Sequence, residues 1–289
     1  METQDRAELC FPQLLNTSCR KLSHPRTEVL LIQILMSSVS VLTVTLNLLV
    51  IISVSHFRQL HVPSNLLLLS LAVADFLVGL VVMPFETLRH SECWFLGPLM
   101  CSFSLFVTIT ATSASIGDMV LIAVDRYVAV CHPLHYSTRV TVRRVQICIF
   151  LCWICSVLYN TLFLGAGLVQ TSSHDSCQGQ CEINTFIVGI VDIVISLFLP
   201  IAVIVVLYVR VFVVAVSQAR AIRSHVQALT QKPSVNVRTM KSELKAARAL
   251  GVVVIVFIMC LFPFYGVVLS GNNFLNTPSG FIVHFMYFF

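Results

Sequence analysis

The chain has 289 residues, of which 57% are hydrophobic and only 11% are charged, and its mean hydropathy is +0.90. A folded soluble surface must be hydrated, so soluble domains carry charge on about a quarter of their residues. With 18 basic and 13 acidic residues and a net charge of +5, the chain carries too little charge for a soluble globular protein, a disordered tail, a fibrous repeat or a nucleic-acid binder. Composition therefore predicts an integral membrane protein.

Long charge-free runs, taken in chain order, predict the membrane spans. A helix needs about 20 apolar residues to cross the hydrocarbon, because each residue rises only about 1.5 Å along the axis. Five such runs lie between Glu28 and Arg58, around Val62 to Phe85, between Glu92 and Asp118, between Arg144 and Asp175, and from Ile183 to Val209 with one break at Asp192.

The last part of the chain holds a sixth run and the start of a seventh. No Asp, Glu, Lys or Arg follows Arg248; the sixth run extends from Ala249 to Ser270, and the seventh begins at Phe281. The nine residues from there to Phe289 cover only about 13 Å, less than half of the hydrocarbon thickness. The sequence predicts an all-α, polytopic, seven-transmembrane helix bundle, with an outer segment at residues 1–28, a seven-transmembrane domain at 29–289 and a seventh helix that is incomplete from residue 279. A truncated, non-functional remnant is one interpretation of such a chain.

The basic residues predict the orientation of the spans, because cytoplasmic loops carry an excess of Lys and Arg. An outside N-terminus leaves 13 of the 18 basic residues on the inner side and only five outside, Arg6, Arg20, Lys21, Arg26 and Arg89. The glycosylation acceptor Asn16-Thr17-Ser18 agrees with this, since such a site is modified on the lumenal side. We therefore expect a multi-pass plasma-membrane protein with an extracellular N-terminus.

The chain carries none of the common enzyme motifs. HExxH, GxxxxGK[ST] and GxSxG are all missing from the sequence, and the nine histidines form no cluster with ligand spacing. A transporter or channel would need internal repeats or broken helices at mid-membrane, and neither is visible. We expect no enzymatic activity and no cofactor.

The functional information lies in polar groups inside the predicted spans, because a charge in hydrocarbon costs several kcal/mol and is rarely retained without a role. Asp75, Asp118 and Asp192 lie within spans, and Asp125 lies at the inner end of the third. These four acids are the first candidates for binding and switching.

The motif around the last of these acids indicates a family. Asp125-Arg126-Tyr127, followed by Cys131-His132-Pro133-Leu134, resembles the end of the third helix in rhodopsin-like G-protein-coupled receptors. Further landmarks fall in that family's order, namely Asn47, Leu71-Ala72-Val73-Ala74-Asp75, Trp94, Cys101, Trp153, Pro200, Tyr208 and Phe262-Pro263-Phe264. The resemblance covers about residues 29–289 and implies a seven-helix receptor with a small-molecule ligand and a heterotrimeric G protein as partner.

Within that family the chain is similar to the trace amine-associated receptors. The residues that carry this resemblance are Cys10-Phe11-Pro12, Asn16-Thr17-Ser18-Cys19, Met83-Pro84-Phe85, Cys93-Trp94-Phe95, Cys177-Gln178-Gly179-Gln180-Cys181 and Glu243 with Ala246-Ala247-Arg248-Ala249-Leu250-Gly251. The resemblance implies disulfides Cys101–Cys181 and Cys19–Cys177, with Cys10 and Cys93 unassigned, because spacing alone does not fix connectivity. It also implies an olfactory receptor for small volatile or biogenic amines that acts through a stimulatory G protein and cAMP.

The ligand site departs from the pattern of amine receptors. The third-helix position where they carry an Asp for the ligand ammonium is Thr108 here. Asp192, eight residues before Pro200 on the fifth span, is the expected replacement, since a buried carboxylate needs a cationic or hydrogen-bonding partner. The other residues expected to line the ligand site are Thr112, Ser196, Phe264, Tyr265 and Tyr287.

Three alternatives stay open at this site. Asp192 is otherwise a protonated structural acid bonded to a neighbouring helix. Thr108 and Thr112 are otherwise bonded to carbonyls of their own helix. Without the third-helix Asp, a receptor for a non-amine ligand is the runner-up function.

The resemblance assigns two more sets of residues. The switch that couples to the G protein comprises Asp125, Arg126, Tyr127, Tyr208 and Glu243, with a basic inner loop from Arg210 to Arg248 as contact surface. A sodium site, the one metal expected, comprises Asp75, Ser115 and Asn47. For Asp118 we expect a hydrogen bond toward the second and fourth spans, involving Trp153, and no contact with ligand.

Overall fold

The computed structural model describes residues 10, 13, 26–91, 94–171 and 193–228, and all regular structure in these ranges is helical. The α-helices are Arg26–His56, Pro63–Leu77, Met83–Ser91, Gly97–Cys131, Pro133–Arg139, Val142–Thr171 and Leu199–Ala228. A 3₁₀ turn, Arg58–Leu60, and two π-helical segments, Val78–Val82 and Ile193–Phe198, complete the described elements.

Five stretches are long and apolar enough to cross a membrane. They are called here the first span (Leu30–His56), the second span (Pro63–Leu88), the third span (Gly97–Cys131), the fourth span (Val142–Leu162) and the fifth span (Leu199–Ser217). Their inner and outer ends are named by the orientation that the basic residues predict. The all-helical bundle and its first five spans are thus confirmed. The predicted sixth and seventh spans lie outside the described residues.

One helix boundary differs from the predictions, that of the fifth helix. The third helix contains Asp118, as predicted, and ends at Cys131, shortly after Asp125; both acids are buried, 0% and 4% exposed, and so do not interrupt an apolar surface. The fifth helix continues to Ala228, so the predicted inner loop from Arg210 was wrong for its first part. Residues 217–228 are rich in Ala, Gln and Arg, which favour helix over loop.

Each π-helical segment ends two residues before a proline. Proline lacks an amide hydrogen, and its ring clashes with the carbonyl four residues earlier. In the second span Pro84 follows Val78–Val82, and the Met83 amide donates to the Val78 carbonyl five residues back. In the fifth helix Pro200 follows Ile193–Phe198. The wider π turn accommodates the proline without ending the span.

The third span occupies the centre of the described bundle, packed against the second, fourth and fifth spans. Its buried positions include small residues such as Ala111, Ala114 and Ala123, which let neighbouring backbones approach closely. Toward the outer side, Val78, Val82, Met83 and Ala111 form an apolar cluster between the second and third spans. The first and fourth spans expose many large apolar side chains, as expected of surfaces that face lipid.

Two glycines mark the closest helix contacts. A Cβ atom at Gly79 would lie 3.0 Å from Val44 and 3.1 Å from Thr43 of the first span, and the Gly79 carbonyl accepts a 2.7 Å hydrogen bond from Ser40. A Cβ atom at Gly117 of the third span would overlap Sγ of Cys152 in the fourth. The third and fourth spans therefore meet at a surface shaped by Gly117.

Gly117→Ala should lower the melting temperature of the detergent-solubilised protein, since overpacking of this kind costs about 1–3 kcal/mol. Adding Cys152→Ala removes the overlapping Sγ and should restore most of the loss. Cys148→Ala is the matched control, because Cys148 is an exposed cysteine on the same helix. Equal melting temperatures for Gly117→Ala and Gly117→Ala/Cys152→Ala would contradict the described contact.

Candidate functional site

The inner ends of the second and third spans meet in a cluster of four polar residues, called here the inner polar cluster: Ser64, Asp125, Arg126 and Tyr136. Arg126 donates from Nε to Oδ2 of Asp125 at 3.0 Å, and its Nη2 also pairs with that carboxylate. The same Nη2 donates to Ser64 Oγ at 2.6 Å. Asp125 in turn accepts from Ser64 at 2.9 Å and from the Tyr136 hydroxyl at 2.8 Å.

These contacts satisfy a carboxylate that is almost completely withdrawn from solvent. The Asp125 side chain is 3% exposed, whereas the Arg126 side chain is 29% exposed, so the guanidinium lies at the edge of the cluster. Burial raises the pKa of Tyr136 above its ordinary value, and the nearby Asp125 charge adds to this effect. Tyr136 therefore remains a protonated donor at neutral pH and fixes the inner-loop helix Pro133–Arg139 to the third span.

The other residues predicted for this switch occupy different positions. The Tyr127 ring packs edge-on against His132 with centroids 5.7 Å apart. Tyr208 lies on the fifth span, which packs against the third. Glu243 lies outside the described residues. Sequence reasoning missed Ser64 and Tyr136, which are 61 and 11 positions from Asp125 and carry no local motif.

A second group of polar residues crosses the middle of the bundle. The Trp153 indole N–H donates to Ser70 Oγ at 3.0 Å, and Ser70 donates to Asp118 Oδ2 at 2.6 Å. Asp118 thus bonds toward the second span, and Trp153 of the fourth reaches it through Ser70, in agreement with the expected direction. The other carboxylate oxygen, Oδ1, is buried without a hydrogen-bond partner in the described part of the chain.

The residues predicted for a sodium site are only partly brought together. Ser115 Oγ donates to Asp75 Oδ1 across 3.4 Å between the third and second spans. The Asn47 amide instead donates to the Thr43 carbonyl of its own helix at 3.0 Å. The oxygen atoms of Asp75 and Ser115 suit a hard cation.

At the outer half of the bundle, Thr108 is engaged within its own helix. Its hydroxyl donates to the Ser104 carbonyl at 2.8 Å, which agrees with the alternative that Thr108 bonds to a carbonyl of its own helix. At the same level of the bundle, Asn160 of the fourth span donates to the Phe106 carbonyl at 2.6 Å and to Thr110 Oγ1 at 2.5 Å. Thr112 is half-buried on the third span. The side chains of Asp192, Ser196, Phe264, Tyr265 and Tyr287 lie outside the described part of the structure.

The outer ends of the second and third spans are joined by aromatic packing. The Phe85 ring lies 6.1 Å from Trp94 and 6.5 Å from Phe103, centroid to centroid. The Trp94 indole donates to the Gly97 carbonyl at 2.8 Å, where the backbone has φ of 78°, a conformation that favours glycine. This packing closes the gap between the two helix ends.

Two of the outer cysteines are described, and both Cys10 and Cys101 are disulfide-bonded. Cys19, Cys177, Cys181 and the glycosylation acceptor Asn16 lie outside the described residues, so the predicted pairings stay predictions. Cys148, Cys152 and Cys155 of the fourth span are free thiols. Cys152 packs against the third span and points its thiol toward the Ala114 carbonyl, as expected of a packing residue.

The chain is similar in sequence to one known protein family and to several named proteins. The family described as "7 transmembrane receptor (rhodopsin family)" matches residues 46–289. Trace amine-associated receptor 13c of Danio rerio is 37% identical over 268 residues, which cover 90% of this chain and 78% of the relative. Trace amine-associated receptor 9 is 38% identical in Mus musculus, over 94% of this chain and 80% of the relative, and 36% identical in Homo sapiens, over 95% and 81%.

Ser70→Ala should destabilise the solubilised protein more than Trp153→Phe does. It leaves the buried Asp118 carboxylate without its described donor, at a cost of about 1–3 kcal/mol or more for a charged group. Ser70→Ala/Asp118→Val removes both partners and should therefore melt at a higher temperature than Ser70→Ala alone. Ser38→Ala is the control, because Ser38 is exposed and bonds only within its own helix. Losses that simply add in the double variant would argue against a coupled pair.

Proposed function

The chain belongs to the rhodopsin family of seven-transmembrane receptors, in the trace amine-associated group, and from that premise we propose that it is a receptor for small volatile or biogenic amines. It is therefore a membrane receptor and not an enzyme, with a small-molecule ligand and a heterotrimeric G protein as the partners of its family. We further propose a stimulatory G protein, signalling through cAMP, and a role in olfaction.

The observation that carries the amine proposal is the extent of the similarity. The relatives compared above are all named as trace amine-associated receptors, and each aligns with about nine-tenths or more of this chain. The inner polar cluster supports the receptor mechanism, since it is a set of paired charges whose separation would open the cytoplasmic end. Proposals for ligand and partner rest on these two facts together.

We propose that Asp192 holds the ligand ammonium from the fifth helix. Thr108, which occupies the usual third-helix anchor position, carries no charge, and its hydroxyl already donates to the Ser104 carbonyl. An ammonium withdrawn from water needs a carboxylate partner. Ser196 would hydrogen-bond the ligand, and the rings of Phe264 and Tyr265 would add about 0.5–2 kcal/mol of cation–π attraction.

A receptor for a neutral ligand is the second candidate, and the Thr108 hydroxyl is the observation that favours it. A site without the third-helix carboxylate has a smaller electrostatic preference for amines. The two candidates differ in one measurable respect, because an amine site loses affinity as the ligand is deprotonated, whereas a neutral-ligand site does not.

The proposed switch is the separation of Arg126 from Asp125. In the described conformation Arg126 is held by Asp125 and Ser64, and Tyr136 occupies the other oxygen of Asp125. Ligand binding that favours an open arrangement of the fifth and sixth helices would release Arg126 toward the G protein, with Tyr208 beside it and Glu243 as the partner lost. The extended fifth helix, which reaches Ala228, would carry that motion beyond the membrane surface.

We propose that the protein lies in the plasma membrane with its N-terminus outside, where Asn16 would be glycosylated. Disulfides Cys101–Cys181 and Cys19–Cys177 would tie the outer loop and N-terminal segment over the ligand site. Sodium bound by Asp75 and Ser115 would favour the closed arrangement, because it neutralises a carboxylate between the second and third spans.

Asp192→Asn should reduce binding of phenethylamine and hexylamine by at least about tenfold, since the ammonium loses its charged partner. Binding is measured directly on purified protein in nanodiscs by calorimetry. Asp5→Asn, in the outer segment, is the control for a change of one charge. Unchanged amine affinity in Asp192→Asn would remove Asp192 from the site, and retained binding of neutral analogues alone would favour the second candidate.

Tyr136→Phe and Ser64→Ala should each raise ligand-independent nucleotide exchange by a purified stimulatory G protein. Each removes a hydrogen bond to Asp125 worth about 1 kcal/mol, which corresponds to about a fivefold change in the open population. Thr138→Val is the matched control, because Thr138 lies on the same short helix as Tyr136 and its exposed hydroxyl donates to the His135 carbonyl of that helix. Basal exchange that matches the unsubstituted protein in both variants would contradict the proposed lock.

A further inference from the structure

One acid at the centre of the described bundle has an oxygen atom without a partner. Asp118 of the third span is 0% exposed, and its Oδ1 is buried with no hydrogen bond in the described part of the chain. Its other oxygen, Oδ2, accepts one bond, from Ser70 Oγ at 2.6 Å. Neither the inner polar cluster nor the proposed sodium site uses this acid. Unpaired polar atoms are rare in packed interiors, so Oδ1 calls for a physical explanation.

Asp125, seven residues further along the same helix, shows what an ionised acid receives in this bundle. It pairs with the Arg126 guanidinium and accepts two more bonds, from the hydroxyls of Ser64 and Tyr136. Asp118 receives a single bond, from a neutral hydroxyl. A bare charge withdrawn from water costs far more than an unpaired neutral O–H group, so an acid in such surroundings is neutralised. The surroundings of the two acids thus favour opposite charge states.

The titratable groups on the spans beside Asp118 bring no positive charge to it. On the second span Asp75 bonds to Ser115, which lies one turn outward of Asp118 on the third span. On the fourth span Cys152 packs against Gly117, the residue before Asp118. A second acid repels a negative charge, and a thiol never carries a positive one. Both neighbours therefore favour a neutral Asp118.

The basic side chains of the third to fifth spans lie closer than Asp118 to the inner end of the bundle. Together with the tyrosine of the fifth span, they are Arg126, Arg143, Arg144, Arg210 and Tyr208. Arg126 is eight residues from Asp118, about 12 Å along the helix, and is already paired with Asp125. The described residues also contain no group of three or more His, Cys, Asp or Glu side chains that could hold a metal ion. A proton, which needs no shell of ligands, is the remaining way to neutralise Asp118.

We propose that Asp118 is a proton-binding site: Oδ1 carries a proton taken from water, and Oδ2, as the carbonyl oxygen of a neutral acid, accepts the bond from Ser70. Because the Trp153 indole donates to Ser70, the neutral acid completes a chain of bonds that joins the fourth, second and third spans. An arrangement of the helices that admitted water to Oδ1 would let the proton leave. Proton release and opening of the bundle therefore favour each other, and a rise in pH should favour the open arrangement. This last step rests on the proposed receptor function, whereas the proton site itself does not.

Infrared spectroscopy of the purified full chain in nanodiscs tests the proton site directly, because the C=O stretch of a neutral carboxylic acid is separated from the amide and carboxylate bands. At neutral pH we expect an acid band that Asp118→Asn removes. Ser70→Ala keeps the acid and should shift the same band to higher frequency, since the carbonyl oxygen loses its hydrogen bond; this variant serves where Asp118→Asn fails to fold. Asp5→Asn, in the outer segment, is the control and should leave the band unchanged.

A sodium ion at Oδ1 is the competing explanation, and the same spectrum distinguishes it. The acid band should be equally strong in sodium chloride and in choline chloride. A band that appears only in choline chloride would assign Oδ1 to a cation and overturn the proton site. A band that Asp118→Asn retains in full would overturn it as well.

The link to opening is tested by ligand-independent nucleotide exchange of a purified stimulatory G protein at about pH 6 and about pH 8. Exchange driven by the unsubstituted chain, divided by that driven by Asp118→Asn, should rise at least about twofold between the two pH values, because the pH dependence of the G protein itself cancels. A ratio that stays constant would overturn the link between ionisation of Asp118 and opening. If the unsubstituted chain drives no exchange at either pH, the proposed function fails, and the infrared band alone decides the proton site.

Discussion

A carboxylate inside the hydrocarbon has no water to donate hydrogen bonds to it, so donors from the protein must take the place of water. The described bundle is organised around such donors. Asp125 is served by Arg126, Ser64 and Tyr136, and Asp118 by Ser70. In both cases the acid is on the third span and its donors come largely from neighbouring helices. The third span is therefore fixed at the centre by polar bonds as well as by small-residue packing, and the helices around it are positioned by the same bonds.

The membrane spans could be predicted from the sequence because the apolar run that marks a span is a property of a whole segment. A run of about 20 apolar residues remains visible whatever its neighbours are, and five predicted runs were found as helices. The resemblance motif around Asp125 and Arg126 also depended only on adjacent residues. The continuation of the fifth helix to Ala228 was missed because a basic segment beyond the membrane was read as loop, although its residues favour helix.

The partners of the site residues were harder to foresee for a physical reason. Ser64, Ser70, Tyr136 and Asn160 act on groups 11 to 61 positions away, and a serine or tyrosine in a helix gives no sign of which neighbour it will meet. Asn47 shows a different limit of sequence reasoning. The family resemblance predicted that it lies beside Asp75, whereas its amide donates to a carbonyl of its own helix. Contacts between helices depend on rotation about each axis, and the apolar runs leave that rotation undetermined.

The π-helical segment Val78–Val82 bears directly on that rotation. A π turn holds one residue more than an α turn, so it acts as a single-residue insertion that turns everything beyond it by about 100°. Met83, which is fully buried, and Glu86 lie on the far side of this insertion. A relative that lacked the extra residue would present a different side of the same sequence to the third span. A residue-by-residue alignment of the two sequences would then pair side chains that point in different directions. The register of this one turn therefore decides which side chains of the outer half can be compared.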